Sequence, residues 1–285
     1  LLFLTNCSQL PKIKLSQFSF KEIGYEVDND SLKIKFSNPL NCPLRIAANS
    51  SDKTIQEKLD DNFPVVINAH EDTLLAYWTD KSKDEISISF SATMGNPKTP
   101  IHIKAISLPF RKGKKYKIIQ GYNGSFSHTS EYSKYALDFN LNEGDTICAV
   151  ADGFVVGVVE GYTKGGKSKK WKDYANFITL FHPEMNLYTQ YVHLMHNGSL
   201  VEVGEFVKSQ QAIGVSGKTG QTDIEHLHFN VLKPNNSGME SVQVGFQEGY
   251  RGINLKKGNW VFLSCLLRVS EQLHEQRLQL RLSAL

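Results

Sequence analysis

Short runs of alternating polar and apolar residues, each ended by Asn, Asp, Gly or Pro, dominate the first third of this chain. The first clear run reads SLKIKF over residues 31–36, and similar runs cover residues 63–69, 73–78, 85–90 and 101–108. Alternation is the period of a half-buried strand, and frequent turn residues favour antiparallel pairing. The pattern predicts a β-sandwich-like N-terminal domain over residues 8–110, with one short helix at 53–61.

Strand-like runs continue further along the chain, and no helical period of useful length interrupts them before the C-terminal end. They cover residues 135–141, 146–162, 175–182, 187–194 and 226–232. We predict a second, mainly β domain over residues 118–260, joined to the first by a basic linker, RKGKKYK, at 111–117. The tail at 261–285 has leucines at helical spacing, so it is either a short C-terminal helix or not part of the native fold.

The composition is that of a globular chain that can bury a core, because 40% of its 285 residues are hydrophobic and 21% are charged. The net charge of +3 gives no bulk attraction to nucleic acid, so no nucleic-acid partner is predicted. The four cysteines form no CxxC pair, which argues against a thiolate zinc site and against a thioredoxin-like redox motif. Cys42 and Cys148 are expected to be buried free thiols.

The first residues, LLFLTNCSQL, are an apolar run that reaches a cysteine. Such a run is typical of the end of a secretory signal, and of a lipoprotein signal whose cysteine carries the lipid. Asn6 stands where lipoprotein signals have a small residue. No later segment has the roughly 18 consecutive apolar residues that a membrane span needs. We therefore expect residues 1–7 to be a signal or anchor segment, with membrane attachment only through a lipidated Cys7.

Two pairs of side chains share a strand face by the rule that residues i and i+2 point the same way. His226 and His228 lie one residue apart in EHLHFNV, with apolar residues on the opposite face. The same rule places Tyr191 and His193 together in TQYVHLM. Both pairs interrupt otherwise apolar strands, which favours a functional site over chance.

Asp138 lies inside the apolar run YALDFNL and needs a partner, because a buried unpaired charge is costly. A metal ion is one such partner, and His128 lies ten residues upstream in a loop that can fold back. With the histidine pairs, these residues are candidates for a catalytic zinc site of three protein ligands and a water. A single histidine is more often a surface or core residue, and we expect His182 and His196 at the surface.

The order His…Asp…Tyr-x-His-Leu…His-x-His over residues 118–232 resembles that of the lysostaphin-type (LytM-like) murein metallopeptidases. The resemblance is carried by SHTSEYSKYALDF, YVHL and EHLHFNV. It implies an antiparallel β-sheet groove with one zinc ion at its floor, and cleavage of peptide bonds in peptidoglycan stems or cross-bridges. The helical zinc motif HExxH does not occur in the chain.

By matching position, the resemblance implies that the zinc ligands are His128, Asp138 and His228. Many members of this family have the first histidine four residues before the aspartate, where this chain has Lys134. A subgroup with a longer loop fits better, and the assignment of His128 follows from that subgroup.

The same matching implies that His193 and His226 are the catalytic histidines. One accepts a proton from water and delivers it to the leaving amine, while the other, helped by Tyr191, stabilises the developing oxyanion. The sequence leaves open which histidine is the base. Glu225 directly precedes the pair and is a minor candidate for the base, although its side chain should point away from His226.

We therefore predict an exported zinc-dependent endopeptidase of the cell envelope, whose partners are peptidoglycan peptides and other envelope proteins. One alternative is a module with the peptidase fold that regulates another cell-wall hydrolase without cleaving. Another is a carrier domain, because VEVGEFVKSQQAIG resembles half of a lipoyl or biotinyl barrel, although no lysine for modification is evident. The basic loop at 162–173 is either a mobile hairpin tip or a groove wall that contacts peptide or glycan.

Overall fold

The structure is a computed structural model that describes residues 10–18 and 23–264. Strands dominate this part of the chain, and every ladder between named strands is antiparallel, so the predicted mainly β fold class is confirmed. The predicted lipidation site Cys7 and the predicted helix in the C-terminal tail lie outside the described residues. Within residues 10–18 and 23–264, no helix is long and apolar enough to cross a membrane.

The N-terminal domain contains six strands and one α-helix among the described residues. Its elements are β1 (Gly24–Asp28), β2 (Ser31–Ser37), β3 (Leu44–Ser50), α1 (Lys53–Asp60), β4 (Val65–Ile67), β5 (Asp72–Trp78) and β6 (Ile88–Met94), with a 3-10 turn at Lys83–Glu85. The strands form two three-stranded sheets with the orders β1-β2-β5 and β4-β3-β6. One core of buried side chains joins the two sheets, which is the sandwich arrangement that the alternating pattern predicts.

The helix α1 shows why its sequence folds locally as predicted. The side chain of Asp52 accepts a hydrogen bond from the backbone N–H of Ile55 at 3.0 Å and so caps the first turn. Ile55 and Leu59 are spaced by one helical turn and are both fully buried in the sandwich core. The predicted range of 53–61 therefore differs from the observed helix only at its end.

The second domain contains the remaining named strands. They are β7 (Lys115–Gln120), β8 (Leu137–Phe139), β9 (Thr146–Cys148), β10 (Gly153–Val159), β11 (Phe177–His182), β12 (Leu187–Val192), β13 (Leu194–Ser199), β14 (Phe206–Val207), β15 (Ala212–Ser216), β16 (Leu227–Asn235), β17 (Gly238–Ser241) and β18 (Trp260–Phe262), with 3-10 turns at Lys169–Trp171 and Gly252–Asn254. A nine-stranded sheet has the order β14-β10-β11-β12-β16-β8-β7-β18, and β17 pairs with β16. A three-stranded sheet has the order β13-β15-β9.

The inner face of the nine-stranded sheet packs on the three-stranded sheet. Tyr191 and Phe229 on the large sheet share one hydrophobic core with Ile147 and Ile213 on the small sheet. Burial of such apolar side chains is the main favourable term in folding, at roughly 25 cal/mol per Å². The core fixes which side chains of β12 and β16 point inward, and so it also fixes which point outward.

The outer face of the same sheet is divided between two environments. Tyr188 and Leu232 belong to the core of the N-terminal sandwich, which covers this end of the sheet. Val192 and His228 line an open groove at the other end. Because β12 and β16 pair directly, the groove lies beside the covered part of the face and its floor consists of regular strand.

Residues 111–117 are not a linker between the two domains. Their last three residues begin β7, in which Tyr116 and Ile118 are buried and the lysines on either side of Tyr116 face solvent. Phe110, before this stretch, already belongs to the core of the second domain. Because only one face of β7 is buried, its exposed lysines alternate with buried residues, and this made the stretch look like a polar linker in the sequence.

Candidate active site

Three side chains with ligand atoms converge at the floor of the groove. Nε2 of His128 lies 3.2 Å from Oδ1 of Asp138. Nδ1 of His228 lies 2.9 Å from the same oxygen and 3.2 Å from Nε2 of His128. One ligand atom from each residue therefore lies within 4.8 Å of the others. We call these three residues the ligand cluster.

The strand pairing and one loop bring the ligand cluster together. Asp138 on β8 is directly opposite His228 on β16, and directly opposite residues lie on the same face of a sheet. His128 belongs to the loop between β7 and β8. Its backbone N–H donates to the carbonyl of Gly124 at 2.9 Å. Its Nδ1 lies 2.8 Å from the carbonyl oxygen of Gly121, which directs Nε2 at Asp138.

His193 and His226 form a second pair beside the ligand cluster, with ring centroids 4.5 Å apart. His193 leaves the strand conformation at a φ of 71°, and its Nδ1 donates to the carbonyl oxygen of Thr219 at 2.7 Å. Nδ1 of His226 lies 3.1 Å from the carbonyl oxygen of Ile224. Both side chains line the groove, so Nε2 is the nitrogen that each can present to a substrate.

Tyr191 does not belong to this site, which corrects the prediction that it shares a face with His193. It is fully buried in the inner core, and its hydroxyl oxygen accepts from the backbone N–H of Val150 at 3.0 Å. The i, i+2 rule fails here because β12 ends at Val192. The positive φ of His193 then turns its side chain into the groove, away from the face of Tyr191.

Burial and charge set the protonation of the ligand cluster. Burial opposes the ionised form of Asp138, but the charges and hydrogen bonds of His226, His128 and His228 outweigh it and lower its pKa well below the usual value. Burial also lowers the pKa of His228. For His128, burial again acts to lower the pKa, yet the hydrogen bond and charge of Asp138 raise it. Asp138 is therefore a carboxylate at neutral pH.

Burial and nearby charges act differently on the histidine pair, which is His193 and His226. Burial, followed by the charges of His226 and His228, lowers the pKa of His193 well below its usual value. His193 is therefore neutral at pH 7, with a free lone pair on Nε2. Nε2 of His226 lies 3.8 Å from Oδ1 of Asp138, at the edge of the ligand cluster.

The groove has a volume of about 1060 Å³, which is large enough for a peptide segment. Its floor contains Gln190 and Val192 of β12, and its rim includes the partly exposed side chains of Phe126, Tyr132 and Ile224. A lining that combines apolar side chains with a few convergent polar groups is usual for a ligand-binding cleft.

Three other polar residues of the sequence analysis lie outside the groove. Glu225 forms an ion pair of 3.2 Å with Lys218 and does not line the groove, in agreement with the expectation that it points away from His226. His196 is exposed, as predicted. The prediction of a surface position for His182 is wrong, because that side chain is only 1% exposed.

Comparison with known proteins gives a match to the family model described as Peptidase family M23 over residues 132–241. This chain contains a peptidase family M23 domain. The predicted membership of the lysostaphin-type family is thereby confirmed. The match includes Asp138, His193, His226 and His228, whereas His128 lies just before it.

Two individual relatives have about 30% identity or less with this chain over the matched residues. An uncharacterized metalloprotease of Buchnera aphidicola subsp. Baizongia pistaciae is 28% identical over 195 residues, which is 67% of this chain and 45% of the relative. The glycyl-glycine endopeptidase ALE-1 of Staphylococcus capitis is 30% identical over 128 residues, or 44% of this chain and 32% of the relative. The chain thus spans less than half the length of either relative.

Among solved structures, the catalytic domain of lysostaphin from Staphylococcus simulans is similar to this chain at 28% identity. The match covers 45% of this chain and 87% of that domain, with a TM-score of 0.32.

Sequence reasoning missed one residue that contacts the ligand cluster of the M23 domain. Nε2 of Gln120, the last residue of β7, donates to Oδ2 of Asp138 at 2.8 Å and to Oγ of Ser127 at 2.8 Å. Its Oε1 accepts from the backbone N–H of Phe126 at 3.1 Å. Gln120 therefore orients the carboxylate and braces the loop that holds His128. A glutamine at a strand end carries no sequence signal for this role.

The ligand cluster fits a divalent metal by the chemistry of its donors. Two imidazole nitrogens and one carboxylate oxygen suit Zn²⁺, and three protein donors leave a position for water or substrate. Nδ1 of His128 is held by a backbone carbonyl, which is how metal-binding histidines are usually oriented. The assignment of roles to the site residues stays a prediction.

Proposed function

We propose that this protein is a zinc-dependent endopeptidase that hydrolyses peptide bonds in peptidoglycan stems or cross-bridges. The observation that carries the proposal is the convergence of the ligand cluster and the histidine pair at the floor of one groove. In this proposal His128, Asp138 and His228 hold the zinc ion.

When bound, zinc supplies a Lewis acid that activates water and polarises a carbonyl group. His193 is neutral because burial lowers its pKa, so its Nε2 can accept a proton from the attacking water and return it to the leaving amine. His226, on the other side of the pair, is held by the carbonyl of Ile224 through Nδ1. In the form that carries a proton on both ring nitrogens, its Nε2 can donate a hydrogen bond to the oxyanion that develops on the substrate. One such donor contributes about 3 kcal/mol in other hydrolases.

The remaining residues keep this arrangement in place. Thr219 holds the ring of His193 through its carbonyl oxygen, and Gln120 holds the carboxylate of Asp138. Such positioning matters because a shift of about 1 Å at a reacting group costs about a hundredfold in rate.

The family match supports a proposal for the substrate and the location. We propose that the protein is exported, acts in the cell envelope on peptidoglycan peptides and meets other envelope proteins there. Lipidation of Cys7 would attach it to a membrane.

The experiment that tests this function is mass spectrometry of muropeptides digested by the purified protein, with and without a chelator. We expect one zinc ion per chain by elemental analysis, cleavage of at least one peptide bond, loss of cleavage with chelator, and recovery on addition of zinc. Full activity in a metal-free preparation would refute the proposal. Bound zinc without any cleavage, together with tight binding of another envelope protein, would instead identify a regulatory module.

A further inference from the structure

Four lysines line the groove, two on each side of the ligand cluster. Lys169 and Lys172 lie in the loop between β10 and β11, and Lys256 and Lys257 lie in the turn before β18. In the order of the nine-stranded sheet, β10 and β11 lie on one side of the strands that carry His228 and Asp138, and β18 lies on the other. A peptide that spans the groove therefore passes a pair of lysines on each side of the site.

Buried neighbours hold both pairs of lysines in place. Trp171 lies between Lys169 and Lys172 and is only 2% exposed, so this part of the loop is anchored and is a wall of the groove. Leu255, next to Lys256, is 5% exposed. The backbone N–H of Gly258 donates to the carbonyl of Ile118 in β7 at 2.8 Å. The ammonium groups thus extend from fixed points on the rim.

These four lysines differ from other lysines near the groove in their partners. Lys218 pairs with Glu225 at 3.2 Å and Lys167 with Asp223 at 3.6 Å. In the part of the chain that the structure describes, none of the four groove lysines has a carboxylate within 4.0 Å.

The carboxylates that line the groove do not balance this charge. They are Asp138, which belongs to the ligand cluster, and Asp223, which lies beside Lys167. A cleft lined by unpaired charge of one sign focuses its potential and concentrates ligands of the opposite sign.

We infer that the groove selects a peptide that carries free carboxylates on both sides of the scissile bond, and that Lys169, Lys172, Lys256 and Lys257 determine this selectivity. The inference rests on the proposed function, because it names the substrate class of the same groove. An uncharged peptide, such as a glycyl chain, leaves all four ammonium groups in water and gains nothing from them. An acidic stem peptide places carboxylates near both pairs.

The test compares two synthetic cross-linked stem peptides that differ only in their carboxyl groups, free in one and amidated in the other. We expect the zinc-loaded protein to have a higher kcat/KM for the acidic peptide, mainly through a lower KM, and to lose this preference as salt is raised. The double variants Lys169→Gln/Lys172→Gln and Lys256→Gln/Lys257→Gln should each lower kcat/KM for the acidic peptide about fivefold. Activity on the amidated peptide should change less than about twofold.

A matched control removes two lysines of the N-terminal domain and its following loop, Lys53→Gln/Lys98→Gln, which are exposed and do not line the groove. It makes the same change in net charge and should leave both peptides unaffected. Equal kcat/KM for the two peptides, or equal effects of control and groove variants, would overturn the inference while the proposed function stands.

A binding measurement with the same peptides, made non-cleavable by N-methylation of the scissile amide, separates the two proposals. Preferential binding of the acidic peptide without cleavage of the parent peptides supports the charge selectivity and refutes the peptidase. Absence of both binding preference and cleavage refutes both.

Discussion

His182 and the groove histidines lie in the same domain and are similarly hidden from solvent, yet their surroundings are opposite in kind. His182, at the end of β11, is 1% exposed, and His193 and His226 are 8% and 6% exposed. Nδ1 of His182 lies 2.8 Å from the carbonyl oxygen of Asp152, and its Nε2 lies 2.8 Å from Oγ1 of Thr189. Both ring nitrogens are satisfied by uncharged oxygens.

His193 and His226 each have Nδ1 next to a backbone carbonyl oxygen and line the groove. Nδ1 of His193 is fixed by a carbonyl, whereas its Nε2 faces the groove. His128 and His228 converge on the carboxylate of Asp138. The difference teaches that burial alone does not distinguish a structural histidine from a site histidine. What distinguishes them is the carboxylate that His128 and His228 share and the groove that His193 and His226 line.

The largest expected effect follows from removing a proposed ligand. His228→Ala takes away one of three donors, so we expect loss of bound zinc and a fall in peptidase activity of about a thousandfold or more. Zinc content and muropeptide cleavage measure the two effects. His196→Ala alters an exposed histidine and should change neither. Retention of stoichiometric zinc by His228→Ala would contradict the assignment of this ligand.

The next effect separates the histidine pair from the ligand cluster. His193→Ala should keep its zinc, because His193 contributes no atom to the cluster, but should lower kcat about 10²- to 10⁴-fold through loss of proton transfer. Elemental analysis and steady-state kinetics on the same preparation check both parts. Unchanged kcat would remove His193 from the mechanism.

His182 should instead control stability in acid. Burial lowers its pKa from 6.5 to about 4, so the unfolded chain binds a proton at higher pH than the folded one. Protonation therefore favours unfolding, and this residue's contribution is present above pH 6.5 and lost as the pH falls towards 4. The loss is about 3 kcal/mol. Denaturant unfolding at several pH values should show a shallower acid decline for His182→Gln, and identical pH dependence would refute this account.

A substitution at Gln120 tests whether the orientation of the Asp138 carboxylate affects zinc binding at the ligand cluster. Gln120→Met removes the donor to Oδ2 of Asp138 and should weaken zinc binding about 10- to 100-fold, the usual effect of losing such a partner. Gln190→Met is the matched control, because Gln190 lines the same groove but accepts from the hydroxyl of Tyr132 at 3.0 Å. Competition with a metal chelator gives both affinities, and equal values would contradict the role of Gln120.

The smallest effect concerns Tyr191, on the opposite side of the sheet from the groove. Tyr191→Phe leaves the backbone N–H of Val150 without its acceptor and should lower the free energy of unfolding by about 1 kcal/mol. Zinc binding and kcat should not change. A large loss of kcat at unchanged stability would return Tyr191 to the catalytic site.

Local periodicity predicted much of this molecule. The alternation of 31–36 matches β2, and the short helix predicted at 53–61 matches α1. The i, i+2 rule placed His226 and His228 on one face, and both line the groove, with His228 in β16 and His226 directly before its first residue. These predictions succeed because strand and helix periods are properties of neighbouring residues.

The errors occurred where the chain leaves its regular period or where burial depends on distant elements. Tyr191 was misplaced because His193 turns out of β12 at a positive φ. His182 was predicted at the surface because the sequence near it does not reveal that Asp152 and Thr189 supply its partners. The stretch 111–117 looked like a linker because its lysines conceal the inward face of β7.

The sequence by itself therefore determined the residue types of the candidate site and the strands that carry two of them, Asp138 and His228. Only the tertiary structure decided that the loop of His128 folds back onto Asp138, that Gln120 holds this carboxylate, and that two pairs of lysines lie on opposite sides of the groove. Those facts depend on the sheet order, which places β8 beside β16 and β18 at the far edge. Sheet order follows from the packing of the whole core, and no local period encodes it.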